Sequence, residues 1–210
     1  MIHGFKGNKT TTAEEWLIDY SLRTSNVVDV NPDLISMSIK FDGKEVDAFI
    51  LDMIDNKLVI HLALPLKCEF DGKSNRYETS YVRELINSNE FLSRFNPEFA
   101  KHVQQTTIHT EDYVTTDKLW LLSHEEISKV GFFIPNEYCR SFDLFKHVDL
   151  QSYSEMLLKL SKQQCFGWRL RSAYYDSRYY VGCVDDYGDL GIYNVASATF
   201  GAVAAACAIC

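Results

Sequence analysis

Trp168-Arg169-Leu170-Arg171-Ser172 alternates along the chain with the period of two expected of a β-strand, so that Trp168, Leu170 and Ser172 face one way and Arg169 and Arg171 the other. Such a strand buries an aromatic face and sends its arginines elsewhere. Working downstream from Phe166 to Ser172, the segments Tyr179 to Val184, Gly191 to Val195 and Thr199 to Ile209 read as further strands. Working upstream, Ser152 to Ser161 reads as a helix, and Phe132 to Leu150 is irregular and aromatic.

The first half supplies strands of its own. After Asn31-Pro32-Asp33, Leu34, Ser36, Ser38 and Lys40 alternate with Ile35, Met37, Ile39 and Phe41. Asp42-Gly43 then reads as a hairpin turn, and Asp55-Asn56 joins two more strands, Val46 to Met53 and Lys57 to Leu64. From Glu78 the period changes to that of a helix, with Tyr81, Val82, Leu85 and Ile86 three and four apart. A short helix over Asn89 to Phe95 and another opening at Pro97, where a missing N–H costs nothing, should follow. Lys118 to Leu122 reads as a short buried strand, and Ser123-His124-Glu125-Glu126 as a capping box that opens a helix toward Val130 and stops at Gly131. Strands at both ends with helices between them give an α+β domain.

Ahead of it, the capping box Thr12-Ala13-Glu14-Glu15 opens a helix from about Ala13 to Arg23. The chain thus divides into an N-terminal helical extension, residues 1–30, and one domain over residues 31–210.

Four segments carry a family resemblance: Ala48 to Leu66; Tyr77-Glu78-Thr79-Ser80-Tyr81-Val82-Arg83-Glu84-Leu85-Ile86-Asn87 with Phe91-Leu92; Asp117-Lys118-Leu119-Trp120-Leu121-Leu122-Ser123-His124-Glu125-Glu126; and Trp168 to Ser172 leading through Tyr180-Val181 and Gly188 to a terminal Gly-containing strand. Together they resemble an uncharacterised bacterial and bacteriophage domain family with a C-type-lectin-like fold, similar in architecture to formylglycine-generating (sulfatase-modifying) enzymes. The resemblance covers about residues 45–209. It implies a C-type-lectin-like α+β domain with antiparallel sheets, and it matches Arg83, Asn87 and Arg171 to family positions whose role is to tie elements together. Arg169 stands where the family has an aromatic, and Gly201-Ala202-Val203-Ala204-Ala205-Ala206 replaces a more polar ending. The cysteine pair that binds copper in the formylglycine-generating enzymes has no counterpart, so the resemblance implies fold and not chemistry.

Composition narrows the functional classes. With 210 residues and 46% hydrophobic content the chain can bury a full core, and a net charge of −8 argues against direct binding of a nucleic-acid backbone. No export signal is visible at Met1-Ile2-His3-Gly4-Phe5-Lys6, and the longest apolar run, Phe200 to Cys210, is well short of the ~20 residues a membrane helix needs. A soluble protein, cytoplasmic or associated with a virion, with no membrane partner is expected. The six cysteines then read as reduced thiols, and Cys207-Ala208-Ile209-Cys210 as small buried residues of a terminal strand. His124 beside Glu125 and Glu126 reads as surface charge. His109 with Glu111 and His147 with Asp149 lack a paired nucleophile, so no catalytic residue, cofactor or metal is assigned.

The remaining signal is the segment from Tyr174 to Asn194. Tyrosine offers large contact area for little rotamer entropy, and Asp, Asn and Ser offer adaptable hydrogen bonds. The candidate ligand-binding residues are Tyr174, Tyr175, Asp176, Arg178, Tyr179, Tyr180, Asp185, Asp186, Tyr187, Tyr193 and Asn194. Asp185, Asp186 and Asp189 lack the spacing of a calcium loop and read as turn formers around Gly188. The leading expectation is a non-enzymatic module of phage or mobile-element origin that recognises a protein or glycan through these loops. The alternative is a small acidic intracellular phage protein that inhibits a host nucleic-acid or defence enzyme.

Overall fold

Two tight turns organise the N-terminal part of the domain. Asp42 and Gly43 sit at φ 52° and 71°, and Asp55 and Asn56 at 51° and 60°, the left-handed pairs that suit two-residue hairpins. In the computed structural model, which describes residues 36–64, 66–110, 112–129, 131, 133, 136–161, 167–198 and 202–210, these turns join β1 (Ser36–Phe41), β2 (Lys44–Ile54) and β3 (Lys57–Leu62). The helix expected over Ala13 to Arg23 lies outside the described residues.

Ile39 and Phe41 of β1 are buried between exposed Ser38 and Lys40, as the period of two requires. β2 keeps that alternation only as far as Ala48, since Phe49 beside it is buried too, and a register shift against β3 follows between Ile50 and Asp52. β3 pairs antiparallel with β10 (Ala205–Ile209), and β10 with β4 (Val103–Gln104), giving a five-stranded sheet in the order β1-β2-β3-β10-β4. The last strand of the domain therefore lies beside the third. The small side chains of Ala205, Ala206 and Ala208 let a fully buried strand be approached from both faces, and Trp120 bonds to Ala206 in both directions, at 3.0 and 2.7 Å.

Between β3 and β10 run a short 3-10 turn (Tyr77–Thr79), α1 (Tyr81–Asn87), α2 (Asn89–Leu92) and α3 (Pro97–His102), each helix capped by the side chain before it, Ser80, Ser88 or Asn96. A hairpin of β5 (Thr106–His109) and β6 (Val114–Asp117), α4 (Leu144–His147) and α5 (Leu150–Ser161) follow. The second principal sheet is β7 (Gly167–Ala173), β8 (Tyr180–Asp185) and β9 (Leu190–Asn194), antiparallel throughout. The architecture is α+β.

α5 joins the two principal sheets. It buries Leu150, Tyr153, Leu157 and Leu158 at helical spacing, and the Tyr153 ring meets Phe49, Phe145 and Trp168 edge-on. His61, fully buried on β3, sits among these rings. Its Nε2 is 3.1 Å from the carbonyl oxygen of Ala204, an acceptor only, so Nε2 carries the proton; Nδ1 then accepts from the Tyr153 hydroxyl at 2.6 Å. Burial holds the ring neutral and lowers its pKa to about 4.

Several expectations change. Lys118 to Leu122 bends at Lys118 and Leu119, is buried from Leu119 onward, and meets β10 in one isolated bridge, Trp120 with Ala206. Ser123 and Glu126 do make the reciprocal capping bonds, at 2.9 and 3.3 Å, yet only turns follow them, with Ser128 at φ 60° closing the segment. His124 is 5% exposed and is no surface charge. Arg169 and Arg171 are both buried, because both faces of β7 are covered, and a register shift against β8 falls between Arg169 and Ala173. Cys207 is buried in β10 as expected, whereas Cys210 lies past its end and is exposed.

Candidate functional site

The family-like positions form a framework that is buried at Arg171 and half-buried at Arg83 and Asn87. Arg83 grips the Asp117 carboxylate through Nε at 2.9 and 3.0 Å and donates to the Glu78 carbonyl, while Thr115 donates to the same carboxylate at 2.7 Å. Asn87 accepts from the backbone N–H groups of Lys118 and Leu119 and donates to the Leu119 carbonyl. Thus α1 is clamped to residues 117–119. Glu126, turned back by the Ser123 N–H, forms a two-point pair with Arg171 at 2.6 and 2.8 Å, and Arg171 also donates to the Leu121 carbonyl. Burial works against the Arg171 charge, but Glu126 more than offsets it and the guanidinium pKa lies above its usual range.

His124 and Ser172 resemble a base and a nucleophile only at first sight. The Ser172 hydroxyl accepts from the His124 N–H at 2.8 Å and lies 3.1 Å from Nδ1, while Glu125 approaches that same nitrogen at 3.2 Å. A carboxylate that orients a catalytic histidine must bind the other ring nitrogen. With Ser172 2% exposed, these groups tie residues 123–126 to β7.

The candidate recognition residues divide into two groups. Tyr175, Asp176, Arg178 and Tyr179 lie in the loop before β8, Tyr180 opens β8, and Asn194 pairs with Tyr180 across the ladder. Tyr175, Tyr179 and Tyr180 are 62%, 47% and 37% exposed, so three rings reach solvent at this end. Tyr174 is half-buried against Tyr175 and Tyr180, and half-buried Tyr193 pairs with Val181.

Asp185, Asp186 and Tyr187 lie at the opposite end of β8, roughly 17 Å away along a six-residue strand at about 3.4 Å per residue. There Asp185 accepts from the N–H groups of Tyr187 and Asp189 and so builds the turn. Gly188, at φ +80°, packs so closely on α5 that an added Cβ would lie 2.4 Å from the Gln151 nitrogen.

The tyrosine loop is held from beneath. The Asn75 side-chain amide donates to the carbonyl oxygens of Tyr174, Ser177 and Tyr180, at 3.1, 3.2 and 2.9 Å, and the Tyr179 carbonyl accepts from Val195 at 3.0 Å. Asn75 is 6% exposed. Next to it, Arg76 lies 4.1 Å over the Tyr113 ring and pairs with Glu78. Tyr113 and Val114 are exposed at the tip of the β5–β6 hairpin, and exposed Tyr138 stacks on His109, the cross-strand partner of Val114. Asn75, Arg76, Tyr113 and Tyr138 were not among the sequence candidates. The contacts that place them join residues far apart in the chain, so local sequence patterns do not single them out.

Glu111 lies outside the described residues, and Asp149 accepts from the backbone and hydroxyl of Ser152 at the start of α5. Among the described residues no group of three His, Cys, Asp or Glu side chains is placed to hold a metal ion. No helix among them is long and apolar enough to cross a membrane. A family model described as a domain of unknown function, DUF6273, matches residues 58–209, from within β3 to the last residue of β10. No curated protein and no solved structure matches the chain.

Proposed function

The chain belongs to the DUF6273 family, and we propose that it is a non-enzymatic recognition module, of C-type-lectin-like fold and of phage or mobile-element origin, that binds a protein or glycan through the loop before β8. The observation that carries this reading is Asn75: one buried amide fixes three carbonyls of the loop that displays Tyr175, Tyr179 and Tyr180. Rings presented on a loop already fixed lose less entropy on binding than rings on a free one. The fold assignment is supported by the antiparallel pairing of β3 with β10, which sets the last strand against the N-terminal strands around the intervening helices and loops.

The acidic-inhibitor alternative draws less support. Asp185 spends an oxygen on two backbone N–H groups of its own turn, and Gly188 seats that turn on α5. The test replaces Tyr175, Tyr179 and Tyr180 together by Ala and compares wild type and variant on a glycan panel and in a pull-down from host lysate. Loss of every specific partner with an unchanged melting curve supports the proposal. Retention of the same partners by the variant sinks it.

A further inference from the structure

Of the nine large hydrophobic side chains exposed among the described residues, six belong to one connected region: Tyr113, Val114, Tyr138, Tyr175, Tyr179 and Tyr180. The connection runs through Asn75 and Arg76. The Asn75 amide holds the loop that carries Tyr175 and Tyr179 and leads into Tyr180, and its chain neighbour Arg76 lays its guanidinium 4.1 Å over the Tyr113 ring. Val114 follows Tyr113 at the hairpin tip, and its cross-strand partner His109 stacks on the Tyr138 ring at a centroid distance of 4.9 Å. The other three, Tyr81, Tyr187 and Ile192, make none of these contacts.

At about 200 Å² for a tyrosine, five rings exposed by 37–68% offer roughly 500 Å² of contact. Val114 and the guanidinium groups of Arg76 and Arg178 bring this toward the ~800 Å² that one partner gives to a standard protein–protein interface. A sugar stacked on one or two of the rings would leave most of it bare. Composition agrees, since tyrosine and arginine are enriched where proteins meet. Charges of both signs lie among the rings: Arg76 pairs with Glu78, Arg178 shares its loop with Asp176, and Asp112 and Glu137 precede Tyr113 and Tyr138. That is a mixed polar rim, with no basic field to draw a polyanion. We propose that this region is one interface for a folded protein partner with a largely apolar contact face, centred on Arg76 and reaching from the tyrosine loop to the tip of the β5–β6 hairpin. Arg76 is stacked on Tyr113 and tied to Glu78 before any partner arrives, so little of its rotamer freedom is left to lose.

The inference rests on the proposed recognition function and narrows it to one class of partner on a larger surface. The test places the photo-crosslinker p-benzoylphenylalanine in the full chain in place of Tyr113, Tyr179 or Tyr187, and irradiates each protein in host lysate. The expected result is one adduct protein, the same from positions 113 and 179 and absent from position 187 at the far end of β8. That protein, purified, should bind Tyr113→Ala at least about tenfold more weakly than wild type, and Tyr113→Phe, which keeps a ring under Arg76, nearly as well as wild type. Melting curves show that each variant folds. An adduct from position 179 but not 113, an adduct from all three positions alike, or wild-type affinity in Tyr113→Ala overturns the two-part interface and leaves the loop reading standing. Binding to a glycan array with no protein adduct overturns the protein partner and likewise spares the loop. No specific adduct from position 179 and no glycan bound overturns both.

Discussion

The Asn75 side-chain amide lies 2.9 Å from the carbonyl oxygen of Tyr180, across 105 residues of sequence, and the same nitrogen reaches the carbonyls of Tyr174 and Ser177. Three acceptors around one atom identify it as the amide nitrogen, since an oxygen there would face three others. A buried residue on one loop thus fixes the shape of another that displays tyrosines.

Asn75→Asp tests this directly, because it keeps the side-chain shape and replaces the donor by an acceptor. The Tyr174 carbonyl then loses its Asn75 donor, the Ser177 and Tyr180 carbonyls keep only the 3.3 Å bonds from the Tyr180 and Tyr174 N–H groups, and losses of this kind cost about 1–3 kcal/mol. We expect a loss of stability in that range and, by hydrogen exchange, faster opening of residues 174–180 than of β3 or β10. Asn75→Asp with unchanged protection of that loop would show that Asn75 does not hold it.

The framework of Arg171 and Glu126 makes a second prediction. Removing one member of a buried ion pair leaves an uncompensated charge and costs roughly 3–5 kcal/mol, whereas apolar replacement of both is often close to neutral. Arg171→Met should lower stability by about that amount in urea unfolding, and Glu126→Leu added to it should recover much of the loss. A double variant less stable than Arg171→Met alone would mean that Glu126 serves the fold mainly through the Ser123 N–H rather than through the pair.

What the sequence made legible is local and what it hid is long-range. Asp42-Gly43 and Asp55-Asn56 declare their turns, Pro97 its helix, and the spacing of Tyr81 to Ile86 another, because each rests on neighbours in the chain. The Ser123–Glu126 box forms its hydrogen bonds as written, yet Arg171, 45 residues away, takes the Glu126 carboxylate and no helix follows. β4, β5 and β6 escaped reading because strands of two to four residues offer too little alternation to register. For the candidate site, composition singled out Tyr175, Tyr179 and Tyr180, whose rings are exposed, the first two in the loop before β8 and the third at its start. The strand expected over Tyr179 to Val184 already separated them from Asp185, Asp186 and Tyr187, but composition counted both ends as one surface.

His61 gives the last prediction, a pH dependence whose sign follows from its surroundings. In the unfolded chain its pKa is the ordinary ~6.5 of a free imidazole. In the folded protein burial lowers it to about 4, with Nε2–H given to Ala204 and Nδ1 filled by the Tyr153 hydroxyl. Between these values the unfolded state binds a proton that the native state does not, so stability rises with pH across this window and falls on acidification by up to ~1.4 kcal/mol per pH unit. His124, buried beside Phe133 and Arg171, is shifted in the same direction by desolvation and adds to the effect. Urea unfolding at a series of pH values between about 4 and 6.5 should therefore show a decline toward acid, and His61→Met should flatten part of it, leaving the share that belongs to His124. Tyr153→Phe tests the partner: Nδ1 loses its donor, the protein is destabilised by about 1–3 kcal/mol, and the acid slope persists because the ring is still buried. A wild-type stability that is flat across this window, or a slope unchanged in His61→Met, would show that His61 does not carry the linkage.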